Sequence, residues 1–244
     1  MKNLKLLVLF CISLSILSFS CGKDKYKNRL RVEKIMYFDN KSETEILLYE
    51  FFYDGGKVTH FNDKNGDVHT LTYGQDGKVI KKVLSQLTAE TTTIYSYNSL
   101  GKVVKSDSQY RSNTSSENYL IEYFYDSAGR IVESKNNSNQ VWYYKWEGDN
   151  LAEMYSKVES GVEYLTYDDK FNPYSLLNGL QGTMHFGVLS LNASNWTSAA
   201  PLGPYGISYN IPATIYQHEY NSQGYPTIIR GGLSLGYKFV YSEY

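Results

Sequence analysis

Tyr125-Asp126-Ser127-Ala128-Gly129-Arg130-Ile131 is the stretch whose reading decides the fold. An aspartate at this place can accept hydrogen bonds from backbone amides just ahead of it, which bends the chain. Gly129 can take the positive φ that closes a tight reversal, and Arg130-Ile131 lead back into extended chain. The phrase recurs as Tyr53-Asp-Gly-Gly56-Lys57-Val58, Tyr73-Gly-Gln-Asp-Gly77-Lys78-Val79 and Tyr97-Asn-Ser-Leu-Gly101-Lys102-Val103. Looser copies follow at Trp146 to Leu151, Tyr167 to Phe171 and Tyr220 to Pro226. Trp146 lies 21 residues after Tyr125, Tyr167 lies 21 after Trp146, and Tyr241 lies 21 after Tyr220. A period of this size marks a repeat architecture.

The flanks of each phrase alternate as strands do, for example Thr93-Ile94-Tyr95-Ser96-Tyr97 and Val141-Trp142-Tyr143-Tyr144-Lys145-Trp146. Each unit therefore holds two strands and two turns. Asn150 stands where one copy lacks its glycine and is expected to take the same left-handed conformation. No segment sustains a 3.6-residue apolar period. The expected fold is all-β: a curled antiparallel β-meander of hairpin repeats, an open or partly closed roll with very little helix. Repeat tyrosines 53, 73, 97, 125 and 167 are expected to pack across strands and hold the meander together.

The phrase resembles the YD repeat, Tyr-Asp-x-x-Gly-Arg, of RHS and teneurin-like proteins, and Tyr125 to Arg130 matches it best. The whole chain is similar to YD-repeat (RHS-like) lipoproteins of Bacteroidota. The resemblance covers residues 45 to 170 and 213 to 244, and it implies a continuous curling meander. The toxin-enclosing shells of large RHS proteins need far more repeats than this chain holds.

At the start, Lys2 and Lys5 precede an apolar run from Leu6 to Leu17, then Ser18-Phe19-Ser20-Cys21. A basic segment, a short apolar segment and small residues before a cut make a secretory signal, too short to span a bilayer. Placing Cys21 just after the small residue resembles a lipoprotein signal, so residues 1–20 are expected to be removed and Cys21 to be lipidated. Phe19 is bulky for a lipobox, and an ordinary secretory signal is the alternative. Residues 21–29 read as a polar tether and residues 30–244 as a single β-repeat domain. Of two cysteines, Cys11 leaves with the signal and Cys21 carries lipid. The domain is then thiol-free, which excludes disulfides, thiolate catalysis and cysteine metal sites.

Basic and acidic residues number 24 and 25, and no long basic run exists, so nucleic acid is not an expected partner. Asp63-Lys64-Asn65-Gly66-Asp67 superficially suggests a calcium loop, but its glycine comes too early and no closing glutamate follows. It reads as an Asn-Gly turn. His60 and His69 could face each other across that hairpin, although no further ligand spacing supports a metal, and none is expected. No cofactor is expected either. The chain has no Gly-x-Ser-x-Gly elbow and no His-Glu-x-x-His, so the reading is non-enzymatic. A glycosidase pair of carboxylates could still meet in the fold. Asp126-Ser127-Ala128 matches a short O-glycosylation pattern of exported proteins, which makes Ser127 a candidate acceptor; the same residues are explained by the turn alone.

The repeat breaks between Tyr167 and Tyr220, where an irregular insert is expected at about 172–212. Its leucines, among them Leu176, Leu177 and Leu180, are too many for a solvated linker. It either caps an open end of the meander or carries a binding surface, for which Trp196 and Tyr205 are the candidate ligand-binding residues. A smaller excess, Arg111 to Glu117, reads as a long hairpin loop. The expected function is an outer-membrane lipoprotein, attached to the membrane through the lipid on Cys21 and binding a glycan or an envelope protein. The alternative is a periplasm-facing assembly or carrier lipoprotein cradling an apolar ligand or client. A glycan hydrolase is the third reading. Gly22 after Cys21 favours the outer membrane, with the face left open.

Overall fold

The structure is a computed structural model that describes residues 30–39, 42–156, 162–177, 180, 192, 194–202, 214–231 and 235–244. Sixteen strands follow one another: β1 Leu30–Asp39, β2 Glu45–Asp54, β3 Lys57–Asp63, β4 Val68–Tyr73, β5 Val79–Ser85, β6 Ala89–Tyr97, β7 Val103–Ser112 and β8 Ser116–Tyr125. Then come β9 Ile131–Asn136, β10 Val141–Glu147, β11 Asn150–Ser156, β12 Val162–Tyr167, β13 Trp196–Leu202, β14 Thr214–Tyr220, β15 Pro226–Gly231 and β16 Leu235–Glu243. Helix among the described residues is limited to one 3-10 turn, Pro173–Leu176. The antiparallel meander expected from the repeat is present.

Each strand pairs with its sequence neighbours, and β1 pairs with both β2 and β16, so the sheet closes into a barrel. The closing seam runs from Leu30 opposite Glu243 to Asp39 opposite Leu235. Closure removes the unpaired edges that an open meander would expose to other chains.

Three of the repeat turns, at Asn98, Asp126 and Asn221, share one mechanical device. The Asp or Asn carboxyl or amide oxygen accepts two backbone N–H bonds: Asn98 Oδ1 from Leu100 and Lys102, both at 3.0 Å, and Asp126 Oδ1 from Ala128 and Arg130, both at 2.9 Å. Gly101 follows at φ +74°, a conformation that only glycine takes freely. A bulge at the aromatic then turns its ring inward, seen at Phe52/Tyr53, Thr72/Tyr73, Ser96/Tyr97 and Phe124/Tyr125. Its hydroxyl donates to a carbonyl of the preceding unit: Tyr73 to Val58 at 2.6 Å, Tyr97 to Val79 at 2.5 Å and Tyr125 to Val103 at 2.6 Å. Trp146 Nε1 makes the same bond to the Ile131 carbonyl at 2.6 Å. The basic residue of one unit lies over the ring of the next, Lys57 on Tyr73 at 5.2 Å and Lys78 on Tyr97 at 5.6 Å. Burial pushes the Tyr97 phenol up to about 12, so it stays a donor at neutral pH. Tyr97→Phe is expected to cost about 1–2 kcal/mol by leaving the Val79 carbonyl without its donor, read as a lower urea midpoint at unchanged slope.

Three expectations are corrected. Asn150 does not take the left-handed conformation: Gly148 does, at φ +58°, and Asn150 opens β11, where its Oδ1 accepts from Ser194 N at 3.0 Å. Arg111 to Glu117 is not a long loop. Its residues extend β7 and β8 to ten residues each, joined only by residues 113–115. The part of the insert from Trp196 to Leu202 is not irregular, because it forms β13, paired with β12 and β14.

A barrel of about sixteen strands is too wide for its own inward side chains to fill, unlike one of about eight. The start of the insert fills one half. Leu176, Leu177 and Leu180 are buried with Ile35, Phe51, Phe61, Ile229 and Phe239 in one core. The Tyr174 ring meets Phe239 edge-on at 6.0 Å, and Phe171 stacks on Tyr225 at 5.1 Å. Asn192 ties the insert to the wall: its Oδ1 accepts from Leu151 N at 2.8 Å and its Nδ2 donates to Tyr167 Oη at 3.0 Å. The described start of the insert thus packs onto the sheet through Leu176, Leu177 and Leu180.

Candidate functional site

The inner wall of β6 to β10 mixes buried Tyr95, Val103, Tyr123 and Ile131 with polar side chains. On β6 to β10 the inward positions carry hydroxyls that bond one another: Thr93 with Ser108 at 2.9 Å, Ser134 with Tyr144 at 2.8 Å and Ser106 with Tyr123 at 3.4 Å. Above them, at the end of the barrel opposite the repeat turns, a cleft of about 490 Å³ opens. That volume lies within the range of about 300–1,000 Å³ usual for small-ligand sites.

The cleft is two rungs of the sheet. The lower rung runs Lys82–Thr93–Ser108–Tyr119 across β5, β6, β7 and β8, each residue opposite the next. The upper rung runs Leu84–Thr91–Tyr110–Glu117 in the same way. Asn118, Asn137 and Ser138 close the rim. The upper rung on β7 and β8 exists because this repeat is longer than 21 residues, with Tyr97 and Tyr125 lying 28 apart. Tyr119 faces the cleft yet is 49% exposed, and Asn136 Nδ2 donates to its hydroxyl at 3.4 Å. Tyr119 therefore offers an aromatic face to a ligand without having to move.

Lys82 is the cation of the cleft. Its neighbours Lys81 and Val83 point to the outer face by strand alternation, while Lys82 sits opposite Leu71 and Thr93 on the inner one. Burial lowers its ammonium to about 8, so it keeps most of its charge at pH 7. His69 lies beside it on β4, stacked on Phe61 at 4.3 Å, with its Nε2 3.5 Å from Asp63 Oδ2. Burial, and then the Lys82 charge, hold His69 below its ordinary value. A second cavity of about 440 Å³ is lined by Ile35, Leu48, Tyr49, Tyr174 and Tyr237, with Asp63, Lys64 and Asn65 among its other walls.

The residues singled out in the sequence fare differently. Cys21 and Tyr205 lie outside the described residues. Trp196 is the first residue of β13, opposite Tyr167, instead of standing on a loop. Ser127 is exposed at the tip of its turn. Beside it, the Arg130 backbone amide and guanidinium hold the Asp126 carboxyl below the usual carboxylate range. His60 and His69 do not face each other: His60 pairs with Thr70 and stacks on Phe52 at 4.4 Å, whereas His69 pairs with Phe61. They lie on opposite faces of the sheet. Among the described residues no three His, Cys, Asp or Glu side chains cluster as metal ligands. The Asp63 to Asp67 segment is the expected turn, with Gly66 at φ +80° and Asp63 Oδ1 accepting from Asn65 N at 2.8 Å. Sequence reasoning missed the cleft, whose one signal was the 28-residue interval between Tyr97 and Tyr125.

The outer wall is charged around the barrel. Lys34 pairs with Glu50 at 2.8 Å, Lys238 with Glu45 at 2.6 Å and Lys145 with Glu153 at 2.6 Å, each across strands. Lys105 meets Asp107 at 3.1 Å on β7, and Arg230 pairs with Glu219.

No family model and no curated protein matches the chain. Among solved structures, a porin-like protein from Bacteroides uniformis ATCC 8492 is similar over 86% of this chain and 98% of its own, with a TM-score of 0.54 and 11% identity. The TcdB2-TccC3-TEV structure aligns over 85% of this chain and 14% of its own at 11% identity, with a TM-score of only 0.20. The first likeness is one of fold: this chain shares an all-β architecture with a porin-like protein.

Proposed function

We propose that the protein is a non-enzymatic, lipid-anchored outer-membrane protein that binds a glycan in the hydroxyl-lined cleft of its barrel. The observation that carries this reading is the exposed face of Tyr119 on the same rung as Thr93 and Ser108. Sugars are bound by an aromatic face against their C–H surface, with hydroxyl, amide and carboxylate groups taking their hydroxyls. Thr91, Asn137 and Glu117 supply such groups beside the ring.

Attachment through lipid on Cys21, and not through the barrel, fits the outer wall. Each lysine or arginine at the middle of a bilayer-facing strand would cost about 2–4 kcal/mol, and this wall carries them on β1, β7, β10, β15 and β16. These charges favour a wall that faces water. A carrier of an amphipathic chain is the second reading, favoured by the second cavity, where Ile35, Leu48, Tyr49 and Tyr174 stand beside Asp63, Lys64 and Asn65. Retention of the full chain, purified in detergent, on an array of neutral and acidic oligosaccharides tests the proposal. Binding that Tyr119→Ala abolishes at unchanged melting temperature supports it. No retention on any glycan, with displacement of a fluorescent fatty acid instead, would replace it with the carrier reading.

A further inference from the structure

We propose that the second cavity binds a small zwitterion, its methylated ammonium among Tyr49, Tyr174 and Tyr237 beside Asp63 and its anionic group at Lys64. This goes beyond the glycan reading and uses a different part of the barrel.

The cavity straddles the closing seam. One rung runs Phe239–Ile35–Tyr49–Asp63 across β16, β1, β2 and β3, each residue opposite the next. On the adjoining rung Tyr237 stands opposite Tyr37 and meets its ring edge-on at 6.4 Å. Tyr174 reaches the same place from the 3-10 turn of the insert. Closure is therefore what brings Tyr237 and Tyr49 to one cavity. Because β16 and β2 flank β1, their backbones lie two strand spacings apart, about 10 Å. A cation held between rings from the two sides lies about 5 Å from each. That is inside the reach of about 6 Å over which an aromatic face attracts a cation.

Packing alone does not account for the space. Protein interiors are filled to the density of organic crystals, yet three tyrosines and Ile35 border about 440 Å³, room for a small ligand. The phenols bear on one another. Burial first, then Asp63 and Tyr237, raises Tyr49, and burial, then Tyr237 and Tyr49, raises Tyr174. Charge enters at one corner. Asp63 Oδ1 accepts from the amides of Asn65 and Asp67 at 2.8 and 3.2 Å, and its Oδ2 lies 3.5 Å from His69 Nε2. Burial, and then the Lys82 charge, hold His69 below its ordinary value, so at pH 7 this neighbour is neutral and the carboxylate keeps its negative charge. Lys64 follows on the exposed turn and is the cation among the described lining side chains. One charge of each sign disfavours a plain cation and suits a zwitterion. Methyl groups on the ammonium match Ile35 and Leu48, and methylated ammonium is what aromatic cages recognise.

The test removes one charge at constant shape. Glycine betaine and its isostere dimethylbutanoate differ in that carbon replaces the quaternary nitrogen. Each is titrated calorimetrically into the full chain in non-ionic detergent at pH 7, beside choline, which lacks the carboxylate. Betaine is expected to bind about tenfold or more tighter than the isostere and about threefold or more tighter than choline. Tyr237→Leu should shrink the first ratio and Lys64→Gln should erase the second. Monomeric short-chain phosphatidylcholine separates the sources of such a ligand: binding tighter than betaine assigns a lipid head group, weaker binding a free solute. Equal affinity of betaine and its isostere, or binding of neither, would overturn the inference. Choline binding as tightly as betaine would overturn it too, since Lys64 would then hold no anion. A fluorescent fatty acid that binds here and is not displaced by betaine would hand the cavity to the carrier reading instead. The glycan reading stands or falls separately, on Tyr119. The betaine–isostere comparison needs no variant, so it decides the matter even if Tyr237→Leu folds poorly.

Discussion

Phe61→Ala is expected to lower stability by about 3–5 kcal/mol, the range for emptying a large aromatic site in a packed core. Phe61 is fully buried on β3. It stacks on His69 at 4.3 Å, meets Phe51 at 5.5 Å and lies edge-on to Tyr49 at 5.9 Å. Three strands and the neutral imidazole of His69 would lose their common contact, and closed barrels cannot easily collapse around such a gap. Phe52→Ala is the matched control. Phe52 stacks just as closely on His60, at 4.4 Å, but on the outer face. Its loss is expected to cost under about 1.5 kcal/mol. Equal costs for the two, measured by urea denaturation, would mean that the inner face is not the packed one.

Leu177→Ala is expected to cost about 2–5 kcal/mol, although it lies outside every strand. Leu177 is fully buried, its amide donates to the Tyr174 carbonyl at 3.1 Å, and it belongs to the same core as Ile35 and Phe239. The start of the insert therefore acts as a plug for the apolar half of a barrel too wide to fill itself. An exposed cap would lose well under 1 kcal/mol on the same substitution. Calorimetric melting separates the two outcomes, and a cost near zero would return the insert to the surface.

The repeat made the strands and turns legible because its rules are local. An Asx side chain, a glycine three places on and a β-branched residue act within a few positions, so Tyr125 to Ile131 announces its own hairpin. Closure left no such mark. Leu30 meets Glu243 across almost the whole chain, and nothing local tells β1 that its second partner is β16. The cleft was hidden for a different reason. Arg111 to Glu117 is serine-rich and polar, which reads as solvated loop, yet here β7 and β8 border a cleft where hydroxyls belong on both faces. Lys82 was masked by Lys81, since two adjacent lysines look like two exposed ones until alternation sends them to opposite sides. Trp196 misled because prolines and glycines around it suggested a loop, and pairing with Tyr167 overrode that local tendency.

Everything proposed for the cleft depends on the sheet being a closed barrel, and a pair of engineered disulfides tests that most directly. Once the signal is removed and Cys21 carries lipid, no other thiol competes. Met36 stands opposite Lys238 on β16 and opposite Leu47 on β2. Directly opposed antiparallel residues have Cα atoms about 4.5–5.5 Å apart, within the reach of a disulfide. Met36→Cys with Lys238→Cys, and separately Met36→Cys with Leu47→Cys, should each oxidise to an intramolecular link, seen as faster migration on non-reducing gels. If the Met36–Leu47 pair links but the Met36–Lys238 pair stays reduced or forms only dimers, β1 is an open edge and the barrel account fails.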